Sequence, residues 1–249
     1  MRFLCWCSAA FILASCGGAK HEVARDPFPD DRAVPLAVAN HGVYATSPWA
    51  TIRAISFAGA DGSRVDAYLV VPRAAGRHPG VLFLHGSGGN RRDLILEAAL
   101  LARRGAVTMT ISQPNDATTY RPLVVNARRA LDALAARSDV DPARLGVVGF
   151  SLGAQTAAIL VGDDHRPKTA GIIGGRGTAV ALFWIRRSRA ALFFQAGTHD
   201  PVVPHAQLLA LERAAPGRPR VRWYDAGHVV DAQIRQDQIA WQAAELGLR

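Results

Sequence analysis

The chain predicts an α/β fold, a mostly parallel sheet of about eight strands with helices on both faces and no large cap domain. Three observations carry that expectation. From Thr51 onward, short apolar runs alternate with longer helix-patterned segments. The run PGVLFLHG, beginning at Pro79, is apolar without interruption, as a strand buried on both faces must be. The two earliest runs are separated by Asp61-Gly62, a turn signal that makes them an antiparallel hairpin.

The elements follow in order. TIRAISFA from Thr51 and VDAYLVVP from Val65 are the hairpin strands, and PGVLFLHG is the first buried strand. Next come a helix over 91–104, the strand AVTMTIS, a helix over 122–137 and the strand LGVVGF. A helix opens at Ser151, followed by strands AGIIGG and ALFFQAG, a helix near 204–214, the strand VRWYD and a last helix from about Asp231. Parallel neighbours need a crossover, which the intervening helices supply. The segment from Gly174 to Arg189 is the one place for an inserted cap, and its shortness predicts an open mouth.

Upstream, Pro27, Pro29, Pro35 and Pro48 among polar residues read as a tether and extended lead-in over 16–48, leaving 49–249 as the folded domain. All 3 cysteines, Cys5, Cys7 and Cys16, fall in the opening MRFLCWCSAAFILASCGG, so the body has neither a disulfide nor a cysteine metal site. One positive residue, Arg2, precedes an apolar run too short to span a bilayer, the form of a secretory signal over 1–15. Leu13-Ala14-Ser15-Cys16 resembles the bacterial lipoprotein signal, in which the cysteine carries the lipid. That resemblance implies export and a membrane anchor at Cys16. Gly17 in place of an inner-membrane retention aspartate leans the expectation toward the outer membrane, facing the periplasm or cell surface.

The formal charge of +9 is almost wholly arginine and is scattered rather than blocked. No basic stripe with interleaved aromatics is present, so nucleic acid is not an expected partner. An anionic membrane surface stays open, because net charge attracts at long range without specifying a partner.

Chemistry collects at the carboxyl ends of parallel strands. Gly149-Phe150-Ser151-Leu152-Gly153 matches G-x-S-x-G at a strand-to-helix junction, where glycines admit a sharp turn and the helix aims its N-H groups at charge developing beside the hydroxyl. A serine needs a histidine base, and that base needs a carboxylate. Asp200 follows the strand ALFFQAG and could supply the carboxylate or simply cap the next helix. His228 follows VRWYD, giving the order Ser, Asp, His; His205 is the alternative base and His199 a bystander. After the first buried strand comes His85-Gly86-Ser87-Gly88-Gly89-Asn90, a loop whose Ser87 N-H would join that of Leu152 as oxyanion donors. The same loop could be a phosphate-cradling turn, but no nucleotide-binding fingerprint accompanies it. Tyr120, Phe183 and Trp184 are the candidates for shaping a substrate pocket.

Together the HGSGG loop, the GFSLG elbow, Gly197-x-x-Asp200-x-x-Val203-Pro204 and Ala226-Gly227-His228 resemble the α/β-hydrolase fold, and within it the dienelactone hydrolase-like branch, over about residues 50 to 248. The resemblance implies a hydrolase with no metal and no cofactor. In it Ser151 attacks an acyl carbonyl, His228 relays the proton and Asp200 orients His228. Dienelactone hydrolases proper carry cysteine in the elbow. Serine here favours esterases, lipases and peptidases of the same pattern. The expected activity is cleavage of small or polymeric carboxylic esters. Alternatives are a peptidase or acyltransferase on the same triad, or a non-catalytic lipoprotein retaining the fold.

Overall fold

The computed structural model describes residues 28, 29 and 34–248. The elements run β1 (Ala39–Thr46), β2 (Ala50–Ala58), β3 (Arg64–Pro72), β4 (His78–Leu84), α1 (Ile95–Arg103), β5 (Val107–Ile111), α2 (Arg121–Ala135), β6 (Val140–Phe150), α3 (Leu152–Asp163), β7 (Pro167–Ile173), α4 (Ala179–Ile185), β8 (Ala191–Gly197), α5 (His205–Ala214), β9 (Arg220–Tyr224) and α6 (Ala232–Glu245). One sheet takes the order β1-β2-β3-β5-β4-β6-β7-β8-β9. It is antiparallel through β1, β2, β3 and β5 and parallel from β5 through β4 and β6 to β9. This is the expected α/β architecture.

Alternation along the strands sorts the core into two layers. On β4, Leu82 and Leu84 join one buried cluster while Val81 and Phe83 join the other. The first cluster is closed by Val124, Leu131 and Leu134 of α2, Ile159 and Leu160 of α3, Ile185 of α4 and Leu208 of α5. The second is closed by Leu101 of α1 and Ile234 and Ile239 of α6. On β5, Val107, Met109 and Ile111 serve the first face. Thr108 and Thr110 face the other way and donate to the carbonyls of Ala98 and Arg91, which satisfies hydroxyls that burial would otherwise strand.

Three elements depart from expectation. The sheet has nine strands because β1 lies within the segment read as lead-in. Most of β1 is exposed and its register breaks between Asn40 and Val43 and again before Ala45, so it offers no alternating pattern to read. The helix expected from residue 91 begins at Ile95 instead. Asn90 takes the Arg92 N-H on its side chain and the Asp93 N-H on its carbonyl, closing a local turn that competes with helix. A short helix, α4, occupies the Gly174–Arg189 connection, capped by Thr178, whose hydroxyl accepts the Ala181 N-H. It is far too small to be a cap domain.

Before β1, Phe28 is buried against Trp184, and α2 grips the lead-in by its carbonyls. Arg128 donates to the Phe28 carbonyl and Arg129 to those of Val34, Pro35 and Ala58. Arg128 also pairs with Asp163 of α3 at 2.9 Å in an interior position.

Candidate active site

Ser151 is the single residue between β6 and α3, and its backbone sits at φ 54° and ψ −114°, which a side chain resists. The turn is held from both sides. Its N-H donates to Ile173 of β7, and its carbonyl accepts from Ala154 and Gln155. The flanking glycines are required by the same packing. A Cβ on Gly149 would stand 2.1 Å from the Gly153 carbonyl oxygen, and one on Gly153 would stand 2.0 Å from that of Leu84 in β4. Strand and helix therefore touch backbone to backbone directly beneath the serine.

The loops after β8 and β9 bring Asp200 and His228 to that serine. They can close only because position 197 is glycine, since a Cβ there would meet the Ala226 carbonyl at 2.1 Å. Thr198 N-H then donates to Tyr224 and His199 N-H to Ala226, stitching the loops together. His228 Nδ1 lies 2.7 Å from Asp200 Oδ2, and Nε2 lies 2.9 Å from Ser151 Oγ. Asp200 Oδ1 accepts the N-H groups of Val202 and Val203, both at 2.8 Å. Burial raises the Asp200 carboxyl, but the bonds from His228, Val203 and Val202 outweigh it and hold the group below the usual carboxylate range. An ionised carboxylate only accepts, so Nδ1 carries the ring proton and Nε2 presents a lone pair to the serine hydroxyl. Phe150 stacks on the His228 ring with centroids 4.9 Å apart. Behind the loop, the buried Tyr224 hydroxyl accepts from Gln195 and donates to Asp237, joining β8, β9 and α6.

The glycine-rich loop after β4 closes the other side. A Cβ on Gly86 would lie 3.2 Å from that of Ser151, so the Ser87 peptide borders the hydroxyl. Neither Ser87 N-H nor Leu152 N-H donates to any of the described residues, and Leu152, as the first residue of α3, has no intrahelical acceptor. Asn115 clamps the loop, accepting from Gly88 N-H and donating to the Gly89 carbonyl.

His85 also belongs to this arrangement, although its residue type alone gave no role for it. It is 3% exposed, and its Nε2 accepts the Gln113 N-H at 2.8 Å, so the ring proton sits on Nδ1 and is donated to the Gly86 carbonyl at 2.6 Å. That carbonyl and the Ser87 N-H share one peptide plane and point opposite ways. The bond that fixes the first therefore aims the second. Burial lowers the His85 pKa, opposed in part by the Gly86 carbonyl and the Asp93 carboxylate, so the ring is neutral.

Of the expected pocket residues, Tyr120 reaches α3, its hydroxyl donating to Gln155 Oε1 at 2.6 Å, one turn beyond Ser151. Phe183 and Trp184 lie on α4. Trp184 packs on Phe28, and Phe183 is exposed beneath the Arg187 guanidinium, so their ring contacts are with the lead-in and α4 rather than the triad. His205 donates from Nε2 to the Thr198 carbonyl and packs on Trp223, and His199 pairs with Asp225 at the surface, so the partners of both lie away from Ser151. Cys16 and the 1–15 segment lie outside the described residues. Among the described residues no cluster of histidine, cysteine and carboxylate side chains could hold a metal ion.

The arrangement can activate a hydroxyl by abstracting its proton and can meet an oxyanion with two N-H groups. Comparison with solved structures agrees in fold. An acetyl xylan esterase from Paenibacillus sp. R4 superposes with TM-score 0.73 at 19% identity, covering 85% of this chain and 90% of its own. Acetyl xylan esterase 1 from Thermoanaerobacterium sp. JW/SL YS485 gives 0.73 at 14%, covering 86% and 89%. A cold-adapted esterase from an Arctic intertidal metagenomic library gives 0.72 at 16%, covering 82% and 97%. The architecture is thus that of the α/β-hydrolases. No curated protein sequence matches the chain. The family model for dienelactone hydrolases matches residues 106–248, more than half of the chain and spanning Ser151, Asp200 and His228, and the protein belongs to the dienelactone hydrolase family.

Proposed function

We propose that the protein is a serine hydrolase of carboxylic esters, with Ser151 as nucleophile, His228 as general base and Asp200 as the carboxylate that orients it. The observation that carries this reading is the unbroken chain Asp200 Oδ2, His228, Ser151 Oγ at 2.7 and 2.9 Å on a strained turn. As Ser151 Oγ bonds to the acyl carbon, its proton passes to Nε2 and the carbonyl electron pair moves onto oxygen, which the N-H groups of Leu152 and Ser87 receive. Collapse of this intermediate breaks the acyl C–O bond, and His228 gives the proton to the departing alcohol. Water then repeats the cycle on the acyl-enzyme and frees the acid and Ser151. Serine in the elbow, and esterases among the structural neighbours, favour simple esters over dienelactones.

The test is hydrolysis of p-nitrophenyl acetate and butyrate by the protein without its first residues. Wild type turns them over, and Ser151→Ala lowers kcat by about 10⁶-fold. No turnover across esters, thioesters and amides, together with no labelling of Ser151 by a fluorophosphonate, overturns the reading. The proposal includes export and a lipid anchor on Cys16, resting on Leu13-Ala14-Ser15-Cys16. Metabolic labelling with a radioactive fatty acid, lost in Cys16→Ala, tests it.

A further inference from the structure

The chain carries no acidic residue between Asp164 and Asp200, while Arg166, Lys168, Arg176, Arg186, Arg187 and Arg189 fall within that stretch. At its centre is α4. Ala181 and Ile185 turn into the core, and the opposite face carries Val180 and Phe183, three residues apart and therefore side by side. Val180 is 39% exposed and Phe183 52%. The Arg187 guanidinium lies over the Phe183 ring, 3.9 Å from its centroid, and Arg187 Nη1 donates to the Phe183 carbonyl. Arg186, Arg187 and Arg189 are all exposed, and none of them pairs with a carboxylate among the described residues. A single exposed apolar residue needs no explanation. An aromatic and an aliphatic side chain rimmed by three unpaired cations form an amphipathic surface, and such a surface fits a partner.

Charge and chain path both say what covers it. Apolar side chains between arginines are the groups by which a helix lies on an anionic bilayer: the rings enter the headgroup boundary and the guanidinium groups meet the phosphates. The path of the lead-in points the same way. Phe28 packs on Trp184 with ring centroids 5.5 Å apart, so the chain upstream leaves the domain beside α4. Cys16 stands twelve residues before Phe28, within about 43 Å even at full extension. We propose that α4, through Val180, Phe183 and the arginines that follow it, docks on a bilayer surface of anionic phospholipid. The docking face adjoins the triad. Arg176, two residues before the Thr178 cap, donates to the Val202 carbonyl in the Asp200 loop, and a Cβ on Gly174 would stand 3.1 Å from His228 Cε1. Docking therefore brings the triad's loops to the lipid boundary. The argument from chain path rests on the lipid anchor proposed above. The argument from charge and exposure does not, and neither rests on the ester-hydrolase reading.

The experiment sediments the protein without residues 1–16, which keeps every described residue, with vesicles of mixed phosphatidylglycerol and phosphatidylcholine and with vesicles of phosphatidylcholine alone. At low salt, wild type partitions onto the anionic vesicles about tenfold or more better than onto the neutral ones. Phe183→Ser lowers the anionic partition about tenfold, and Arg186→Gln/Arg187→Gln lowers it about 25-fold, at roughly fivefold for each arginine. The control is Arg103→Gln/Arg104→Gln at the end of α1, which packs on the other face of the sheet. It removes the same charge and lowers the partition less than about threefold. Equal losses from the two arginine pairs overturn the inference, because net charge alone then drives binding. So does wild type that ignores the anionic vesicles or binds the neutral ones as well. A dimer in analytical ultracentrifugation that Phe183→Ser dissociates also overturns it, since a second copy then covers the face. No arm reads turnover or needs the anchor, so the ester-hydrolase and lipid-anchor readings stand or fall separately.

Discussion

The two halves of the site are built by different means. On the side of β4 and β6, Ser151 and the HGSGG loop are fixed by exclusion. Main chains meet so closely that glycine alone fits at 149 and 153, and the strained serine has nowhere to relax. On the side of β8 and β9, Asp200 and His228 are fixed by satisfaction: Asp200 Oδ1 accepts from Val202 and Val203 of its own loop, Oδ2 meets His228 Nδ1, and main-chain bonds join the two loops. The first kind of construction fails by unfolding. The second fails by misaligning groups in a protein that stays folded.

The sharpest way to separate the halves is Asp200→Asn. It keeps the shape but, by offering Nδ1 a donor, turns the histidine to the wrong tautomer; kcat should fall about 10⁴-fold with the thermal midpoint little changed. A midpoint that collapses along with activity would show that the second half also carries the fold. Gly153→Ala probes the first half. The added methyl meets the Leu84 carbonyl, so urea unfolding should report a loss of about 3 kcal/mol. A variant of normal stability and full activity would end the steric account.

His85 sits between the two constructions, since it aims a peptide by hydrogen bonds inside a sterically closed loop. His85→Leu should lower kcat about 10- to 100-fold with KM nearly constant, and His85→Gln, which restores a donor and an acceptor, should recover most of it. Equal damage from both would make His85 merely a space filler. Acid sharpens the same point. The folded His85 pKa is depressed, so its contribution is whole above the ordinary imidazole value and is lost as pH falls from there toward the folded one. Asp200, also depressed, holds its contribution above the ordinary carboxylate range and loses it as pH falls through its own lower value. Chemical denaturation across pH should therefore show two acid-side losses, and His85→Gln should remove the one at higher pH. The smallest effect is expected at the exposed His199–Asp225 pair, where Asp225→Asn should change activity less than about twofold.

Sequence reveals the first construction well, because exclusion leaves glycines behind. GFSLG and HGSGG were readable for that reason, and the order Ser151, Asp200, His228 followed from strand ends. It reveals the second poorly. Nothing in the letters says that His85 spends both nitrogens on Gly86 and Gln113, or that Gln113 is left with a buried amide, because those facts depend on which loops meet. The exposed strand β1 is not legible because an edge with no buried face has no pattern, and the partners of the aromatics at 183 and 184, Phe28 and Arg187, depend on packing that the letters do not show.

The stitching of the Asp200 loop to β9 has a consequence in the order of synthesis. Thr198 and His199 are anchored by Tyr224 and Ala226, and His228 itself follows them. A growing chain that has released Ser151 from the ribosome still lacks His228 and the strand that seats the Asp200 loop until residues 220–228 emerge. Ser151 is thus made long before its hydrogen-bonded partners, and the chain Asp200, His228, Ser151 closes only when β9 completes the sheet.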